Sequence, residues 1–309
     1  MNKTSSAGDA YSHSGTNYLT YADGDPQSLF RFDNQFAYAD AQLWSAISFK
    51  LRLLRADGRD TLRVLDVGCG PGTWLRRIVI EARRLGFKHI EGLGFDIAEA
   101  QIAMARELTR AIASIPGVSL GFEIRDATRP FPEADHSTDL TLCLYCVLNH
   151  LPVTELVPVI GELARVTRGS FITTVRAIGS TPTAFIDSLG NARSFLQDHK
   201  SDRFFVELSN GEALSMPSHL FAAAEFRAVV DRSFVVDSLC GLDLFHSRFS
   251  LDPRWNPDTL PQSSGLVAEL ACLEERYSRH PAFIDRATHL LCVGHPRRPG
   301  DKVATVRAA

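Results

Sequence analysis

Between residues 60 and 176 the chain alternates two apolar patterns. Short β-prone runs occur at Arg63 to Val67, His89 to Phe95, Val118 to Ile124, Asp139 to Leu144 and Ser170 to Val175. Several are separated by segments whose apolar residues recur every three or four positions, the period of a helix with one buried face. Leu75, Ile78, Val79, Ala82 and Leu85 form one such stripe, and Ala98, Ile102, Ala105, Leu108 and Ile112 a second, while 153–166 reads as a further helix. Asp139 to Leu144 is almost continuously apolar, as expected of a parallel strand covered on both faces. Strands alternating with helices of these lengths predict a doubly wound α/β sheet, mostly parallel.

On either side the rhythm changes. Residues 1–15 are rich in Ser, Gly, Asn and Thr and read as a mobile tail. Residues 16–58 are the most aromatic part, with Tyr18, Tyr21, Phe30, Phe32, Phe36, Tyr38, Trp44 and Phe49. Leu43, Ala46, Ile47, Leu51 and Leu54 have helical spacing there, so this region reads as a helical lid. The main domain then spans 59–295, with insertions at about 177–216 and 250–280, and a basic tail follows at 296–309. Within it, 177–216 reads as less regular, Ser218 as the N-cap of a helix carrying Leu220, Phe221, Ala224 and Val229, and 253–261 as Pro-rich. Phe234 to Ser238 and His289 to Val293 read as strands, with a helix near 264–278 between them. No internal repeat is present, which excludes solenoids.

Composition narrows the class. A chain of 309 residues, 45% hydrophobic and 22% charged, can bury a full core as one large domain with insertions. Its net charge of -3 and pI near 6.4 give no broad positive field, which argues against a nucleic-acid partner. No apolar run reaches the roughly 20 residues that span a bilayer, and the N-terminus lacks the apolar core of a signal peptide. The expectation is a soluble cytoplasmic protein with no membrane partner. The six cysteines read as reduced and largely buried, and the single C-x-x-C at Cys143 and Cys146 reads as neither a redox nor a metal pair, so no metal is expected.

The chemistry concentrates in one place. Gly68-Cys69-Gly70-Pro71-Gly72 follows the first strand and precedes a helix. Such a turn lets backbone approach a ligand where a Cβ would intrude, and the helix N-terminus behind it favours a carboxylate or phosphate. Asp96 closes the second strand, beside that turn in a sheet of this kind, where its two oxygens can accept both hydroxyls of a ribose. A dinucleotide site would show G-x-G-x-x-G, which is not the spacing here.

Val64-Leu65-Asp66-Val67-Gly68-Cys69-Gly70-Pro71-Gly72 resembles motif I of the class I S-adenosylmethionine-dependent methyltransferases, and Gly94-Phe95-Asp96-Ile97 resembles their ribose-binding motif II. Arg125-Asp126-Ala127 is similar to their adenine-binding motif. The strand and loop from Asp139 through Leu144, Tyr145 and Leu148-Asn149-His150-Leu151 are similar to those lining the methyl-transfer cleft. The resemblance implies a seven-stranded sheet with an antiparallel hairpin at one edge, and S-adenosylmethionine as cofactor with S-adenosylhomocysteine as product. It implies a cofactor site made by Asp66, Gly68, Cys69, Gly70, Pro71, Gly72, Asp96, Ile97, Asp126, Ala127, Leu144 and Tyr145. Several related small-molecule methyltransferases carry an acid where this chain has Cys146.

The expected activity is methyl transfer to a nucleophilic atom, N or O, of a small molecule. Candidates for a base or for orienting the acceptor are His150, Tyr145, His219 and Arg176, and Tyr18, Tyr21, Phe30 and Phe36 are candidates for the acceptor pocket. Two other readings remain at this stage: a protein that binds the same cofactor without transferring its methyl, and a nicotinamide-dependent oxidoreductase.

Overall fold

The computed structural model describes residue 8 and residues 28–32, 37–180, 192–208, 211, 213–246, 264–298, 300 and 301. Tyr18, Tyr21, Phe36, the Pro-rich stretch 253–261, nearly all of the N-terminal tail and residues 299 and 302–309 of the C-terminal tail lie outside the described residues. The elements run α1 (Ala37–Ala56), β1 (Thr61–Val67), α2 (Thr73–Arg84), β2 (His89–Asp96), α3 (Glu99–Ala113), β3 (Val118–Ile124), β4 (Thr138–Cys143), α4 (Val153–Val166) and β5 (Thr167–Arg176). After these come β6 (Ala192–Asp198), β7 (Arg203–Leu208), β8 (Ala213–Pro217), α5 (Ala223–Val230), β9 (Phe234–Leu242), α6 (Ser264–Tyr277) and β10 (His289–Pro296).

Seven strands make one sheet in the order β3-β2-β1-β4-β5-β10-β9. β1 to β5 are mutually parallel, and β10 runs antiparallel to both β5 and β9. Strand periodicity sorts β1 between two layers. Leu62 and Val64 pack on one face with Leu43, Ile47 and Leu51 of α1, Leu75 and Ile78 of α2, and Ile102 of α3. Leu65 and Val67 pack on the other with Leu156, Ile160 and Leu163 of α4 and Phe226 and Val230 of α5. Each fully buried Leu or Ile contributes about 1.5–3 kcal/mol, so the α1 stripe is enough to hold that helix on the sheet. None of the helices among the described residues is long and apolar enough to cross a membrane.

Two expectations are corrected. The stretch 177–216 is not merely irregular, because β6, β7 and β8 form a separate antiparallel sheet in which Phe204 and Val206 are buried in alternation. Ser218 is not a helix cap either: its N–H goes to the Asp202 carbonyl at 2.7 Å, and its buried hydroxyl has no partner. The chain stays extended through Phe221, which bridges Ala177, and α5 starts four residues later than the Ser218 cap implies. What starts that helix is remote in sequence, since Asp285 Oδ1 accepts the Ala223 N–H at 2.6 Å. Locally, Glu225 at N3 reaches back to the Ala222 N–H at 3.4 Å, but the short capping bond comes from 62 residues away, where no local pattern announces it.

The amino edge of the sheet is stapled by Asp139 at the start of β4. Its carboxylate accepts from Arg59 Nη1 at 2.7 Å, Arg168 Nη2 at 2.5 Å and the Arg63 N–H at 3.0 Å, so it ties β1, β4 and β5 together. Both guanidinium groups are partly exposed and can rehydrate. Asp139→Ala is therefore expected to cost about 2–3 kcal/mol, read as a lower urea midpoint with an unchanged slope. The ligand end of the sheet is remote from this edge and should keep its affinities.

Candidate active site

The carboxyl ends of the parallel strands converge on the glycine turn. Gly68, Gly70 and Gly72 have φ of 71°, 50° and 74°, the left-handed region that a Cβ penalises. At Gly68 space is also limiting, because a Cβ there would meet Val147 Cγ2 at 2.2 Å. The turn is docked on the end of β2: the Phe95 carbonyl accepts the N–H groups of Gly68 at 2.8 Å and Cys69 at 3.0 Å. Cys69 is buried beneath it, against Gly94, where a Cβ would lie 2.8 Å from the Cys69 sulfur. Gly72 then caps α2, and Pro71 is buried at its entrance.

Asp96 stands beside this turn as the sequence predicts. Its Oδ2 accepts the Gly70 N–H at 2.9 Å and its Oδ1 the Ala98 N–H at 2.9 Å. Burial raises its carboxyl above the ordinary range, and these backbone donors offset part of the effect. Asp66, inside β1 and 1% exposed, is pushed up to about 7 by burial and by the charge of Asp96, and its Oδ2 has no partner. Gln101, in the first turn of α3, has neither amide atom bonded, and its Oε1 lies 4.0 Å from where a Gly70 Cβ would be. Orphaned polar atoms around a bend that leaves room for a ligand fit an adenosyl amino acid, whose hydroxyls, ammonium and carboxylate supply the missing partners.

The other predicted contacts flank this centre. Ile97 is largely exposed just past Asp96, and Leu144 is buried at the end of β4. Ala127 is half-buried, and Asp126 turns its carboxylate onto the Thr128 N–H at 2.9 Å and hydroxyl at 2.8 Å.

Beyond β4 lies a second group that the sequence reveals only partly. Tyr145 and Cys146 have φ of 45° and 70°, an unusual pair for non-glycine residues, held by the Tyr145 N–H donating to Thr174 Oγ1 at 2.8 Å. The Tyr145 ring lies 6.2 Å from Trp74 and edge-on to His289 at 5.6 Å, and its hydroxyl donates to Asp40 of α1. Asp40 is fully buried. Burial raises its carboxyl, and Arg77, 3.6 Å away, and Tyr145 pull it back. Arg77 also donates to the Leu29 carbonyl at 2.6 Å and lies over the rings of Phe32 and Trp74, while Phe30 packs edge-on against Trp44. Asp40 had a detectable signal: 40, 43, 47 and 51 continue one helical face, so a carboxylate interrupts an apolar stripe.

Of the four catalytic candidates, Tyr145 and Arg176 lie in this group, and His150 and His219 serve the joint between the two sheets. Arg176 ends β5 opposite His289, with its guanidinium on Ser180 Oγ at 3.1 and 3.2 Å. Burial and the Arg176 charge push His289 down to about 3. His150 is partly buried, with Nδ1 on the Pro217 carbonyl at 2.7 Å, and desolvation of its ring brings it down to about 4, so it is neutral. His219 lies between Asp202 at 3.0 Å and Glu225 at 2.7 Å. Asn149 completes the joint, donating to the carbonyls of Arg176 at 3.1 Å and His219 at 2.5 Å.

Residues 64–170 match a family model described as a methyltransferase domain. That stretch thus matches a methyltransferase domain and runs from β1 into β5 of a sheet of the class I order, and S-adenosylmethionine is the cofactor of that class. No curated protein sequence matches the chain significantly. Among solved structures it is similar to a protein from Pyrococcus horikoshii OT3, at 16% identity and TM-score 0.51 over 90% of this chain and 96% of that one. It is also similar to the magnesium protoporphyrin IX methyltransferase of Synechocystis PCC 6803 with bound SAH, at 16% identity and TM-score 0.51 over 94% and 98%. The cyclase SpnF aligns at 17% identity and TM-score 0.51 over 93% and 94%. At these identities the likeness establishes the fold.

The His219 joint has a pH signature. Burial alone would lower this imidazole, but Asp202 and Glu225 outweigh it and raise the group above its ordinary 6.5. A raised folded value means stabilisation that is complete below the unfolded pKa and lost as pH rises through the folded one. The Tm deficit of His219→Gln relative to wild type is expected to be larger at about pH 6 than at about pH 8.5.

Proposed function

We propose that this protein transfers the methyl group of S-adenosylmethionine to a nitrogen or oxygen of a small molecule held beyond Tyr145, beneath α1. The observation that carries the reading is the glycine turn closed onto Asp96, with Asp66 and Gln101 left unsatisfied around it. The bound cofactor supplies a methyl on a sulfonium, and an acceptor held in line behind it gains about 7–11 kcal/mol from positioning. The residues of this chain then have distinct tasks. Asp96 accepts from the ribose hydroxyls, the glycine turn admits the backbone-close part of the ligand, and Asp66 balances its ammonium.

On the acceptor side, the Tyr145 O–H donates a hydrogen bond to Asp40, which directs a lone pair of the phenol oxygen to accept from the N–H or O–H of the acceptor. On this reading the rings of His289 and Trp74, which pack against Tyr145, border the acceptor. In this proposal His150 and His219 do not act as bases, since their ring nitrogens serve the joint between the sheets. The match to the methyltransferase domain favours transfer over binding alone, and the glycine spacing disfavours a nicotinamide cofactor.

Two measurements test the cofactor half. Asp96→Asn is expected to weaken S-adenosylhomocysteine binding at least about tenfold by calorimetry, through loss of a charge-assisted acceptor. An unchanged affinity would remove Asp96 from the site. In the free protein the raised Asp66 makes folding stability fall as pH rises between its ordinary value and about 7. A ligand ammonium favours the ionised form, so affinity should rise with pH through about 7, with proton release visible as a buffer-dependent binding heat. A flat pH profile would contradict this role for Asp66.

The acceptor half is tested by Tyr145→Phe. It should retain S-adenosylhomocysteine affinity and lose about ten- to a hundredfold in S-adenosylhomocysteine release with a pooled metabolite extract. Equal rates for the two proteins would remove Tyr145 from the acceptor site.

A further inference from the structure

Among the buried positions of α1, Ala39, Leu43, Ile47 and Leu51 are apolar, and Asp40 is the one ionisable side chain. It is 0% exposed, and a carboxyl so placed keeps its charge only beside a cation or several donors. The cation comes from α2. Arg77, 3% exposed, places Nη1 3.6 Å from Asp40 Oδ2. Its guanidinium is itself fixed from other sides: it lies 4.4 Å from the ring centre of Trp74, one turn earlier on α2, and 5.0 Å from that of Phe32, and its Nε donates to the Leu29 carbonyl at 2.6 Å.

The charge state of Asp40 decides what Tyr145 can offer. A carboxylate has no proton to give, so the phenol O–H must donate to it, and the phenol oxygen presents a lone pair on its other side. A protonated Asp40 would carry an O–H of its own. That group can reverse the hydrogen bond, and the phenol then presents a proton where it had presented a lone pair. Burial favours the protonated form, and the Arg77 charge opposes it. The groups acting on Asp40 are Arg77 from α2 and the Tyr145 hydroxyl from the turn after β4. His289 of β10, edge-on to the Tyr145 ring, is pushed down to about 3 by burial and the Arg176 charge, so it is neutral and does not substitute for the Arg77 cation.

We propose that Arg77 is a positioning residue for methyl transfer, one that keeps Asp40 a carboxylate and thereby makes the Tyr145 oxygen accept a hydrogen bond from the molecule to be methylated. This role rests on the reading of Tyr145 above. It makes transfer, but not cofactor binding, depend on the Arg77 charge, and that dependence passes through the phenol.

The test uses the full chain as wild type, as Arg77→Met, which removes the charge from a long side chain, and as Arg77→Lys, which keeps a charge, each also combined with Tyr145→Phe. Release of S-adenosylhomocysteine with a pooled metabolite extract is followed between about pH 6 and about pH 9, beside calorimetric affinity for S-adenosylhomocysteine. Arg77→Met is expected to keep that affinity within about twofold, to lose about tenfold in release near the acid end and to recover as Asp40 ionises with rising pH, while Arg77→Lys follows wild type within about threefold. Combined with Tyr145→Phe, Arg77→Met should add less than about twofold, because no phenol is left to orient. No loss, a loss equal at every pH, or a loss carried undiminished into Tyr145→Phe would overturn the proposal and leave Arg77 a structural residue. An infrared difference between wild type and Asp40→Asn reads the carboxyl directly, with no methyl acceptor and no Arg77 variant. A carboxylate band is expected at about pH 7, and a protonated carboxyl band in its place would also overturn the proposal. Tyr145→Phe that releases S-adenosylhomocysteine as fast as wild type would instead defeat the acceptor reading, a result distinct from a Tyr145→Phe loss to which Arg77→Met adds in full.

Discussion

The contact on which this site depends is the docking of the glycine turn onto the end of β2, where the Phe95 carbonyl takes two N–H groups and the Asp96 carboxylate a third. That docking fixes the exit of β1 against the exit of β2. It is feasible only with left-handed backbone at Gly68, Gly70 and Gly72, and only if Gly94 leaves room for Cys69 beneath the bend. Val147 then fills the space beside Gly68, which brings the exit of β4 into the same assembly. Three strand ends are thereby held in one arrangement before any ligand arrives, and preorganisation of that kind lowers the entropic cost of binding.

Burial at that junction has an electrostatic consequence. Asp96 sits close enough to disfavour ionisation of Asp66, from which water is excluded, whereas Asp96 itself is only partly buried. The group that loses is Asp66, since Asp96 has backbone donors on both oxygens and Asp66 has an unbonded one. On the acceptor side the same problem is handled differently. Asp40 is as buried, but Arg77 and the Tyr145 hydroxyl are supplied to it from α2 and from the β4 exit, so α1 is tied to the site by a polar contact as well as by its apolar stripe.

The layered architecture and the placing of the glycine turn beside Asp96 were legible because both are written locally. Strand and helix periods, the G-x-G-x-G turn and Asp96 at a strand end each occupy a few consecutive residues. What escaped depends on residues far apart in the chain. α5 starts where Asp285 caps it, and β6 to β8 are defined by pairing with one another rather than by a strong apolar period. Tyr145 could be named from the resemblance, yet its partner Asp40 lies 105 residues earlier. His289 is brought opposite Arg176 only by the antiparallel insertion of β10. Gln101 shows the limit most plainly, because a glutamine in a helix is ordinary until its amide is found buried and unbonded.

The division between local and long-range information follows the division of labour in the site. A methyltransferase and a cyclase share this scaffold with the chain at 16–17% identity, so the sheet and its order do not by themselves choose a reaction. The cofactor end is built from neighbouring strand exits, whose geometry the sheet imposes. On the proposed reading the acceptor end is built from α1, the turn after β4 and the antiparallel β10, elements that can be refitted with other side chains while the glycine turn stays in place. Tyr145 is where the two meet: its backbone is held by Thr174 of β5 in the sheet, and its hydroxyl is held by Asp40 of the covering helix. Movement of α1 would therefore be felt at the phenol oxygen before it reached the bend, and on the proposed reading the seating of that helix, rather than the sheet, governs which acceptors can be oriented.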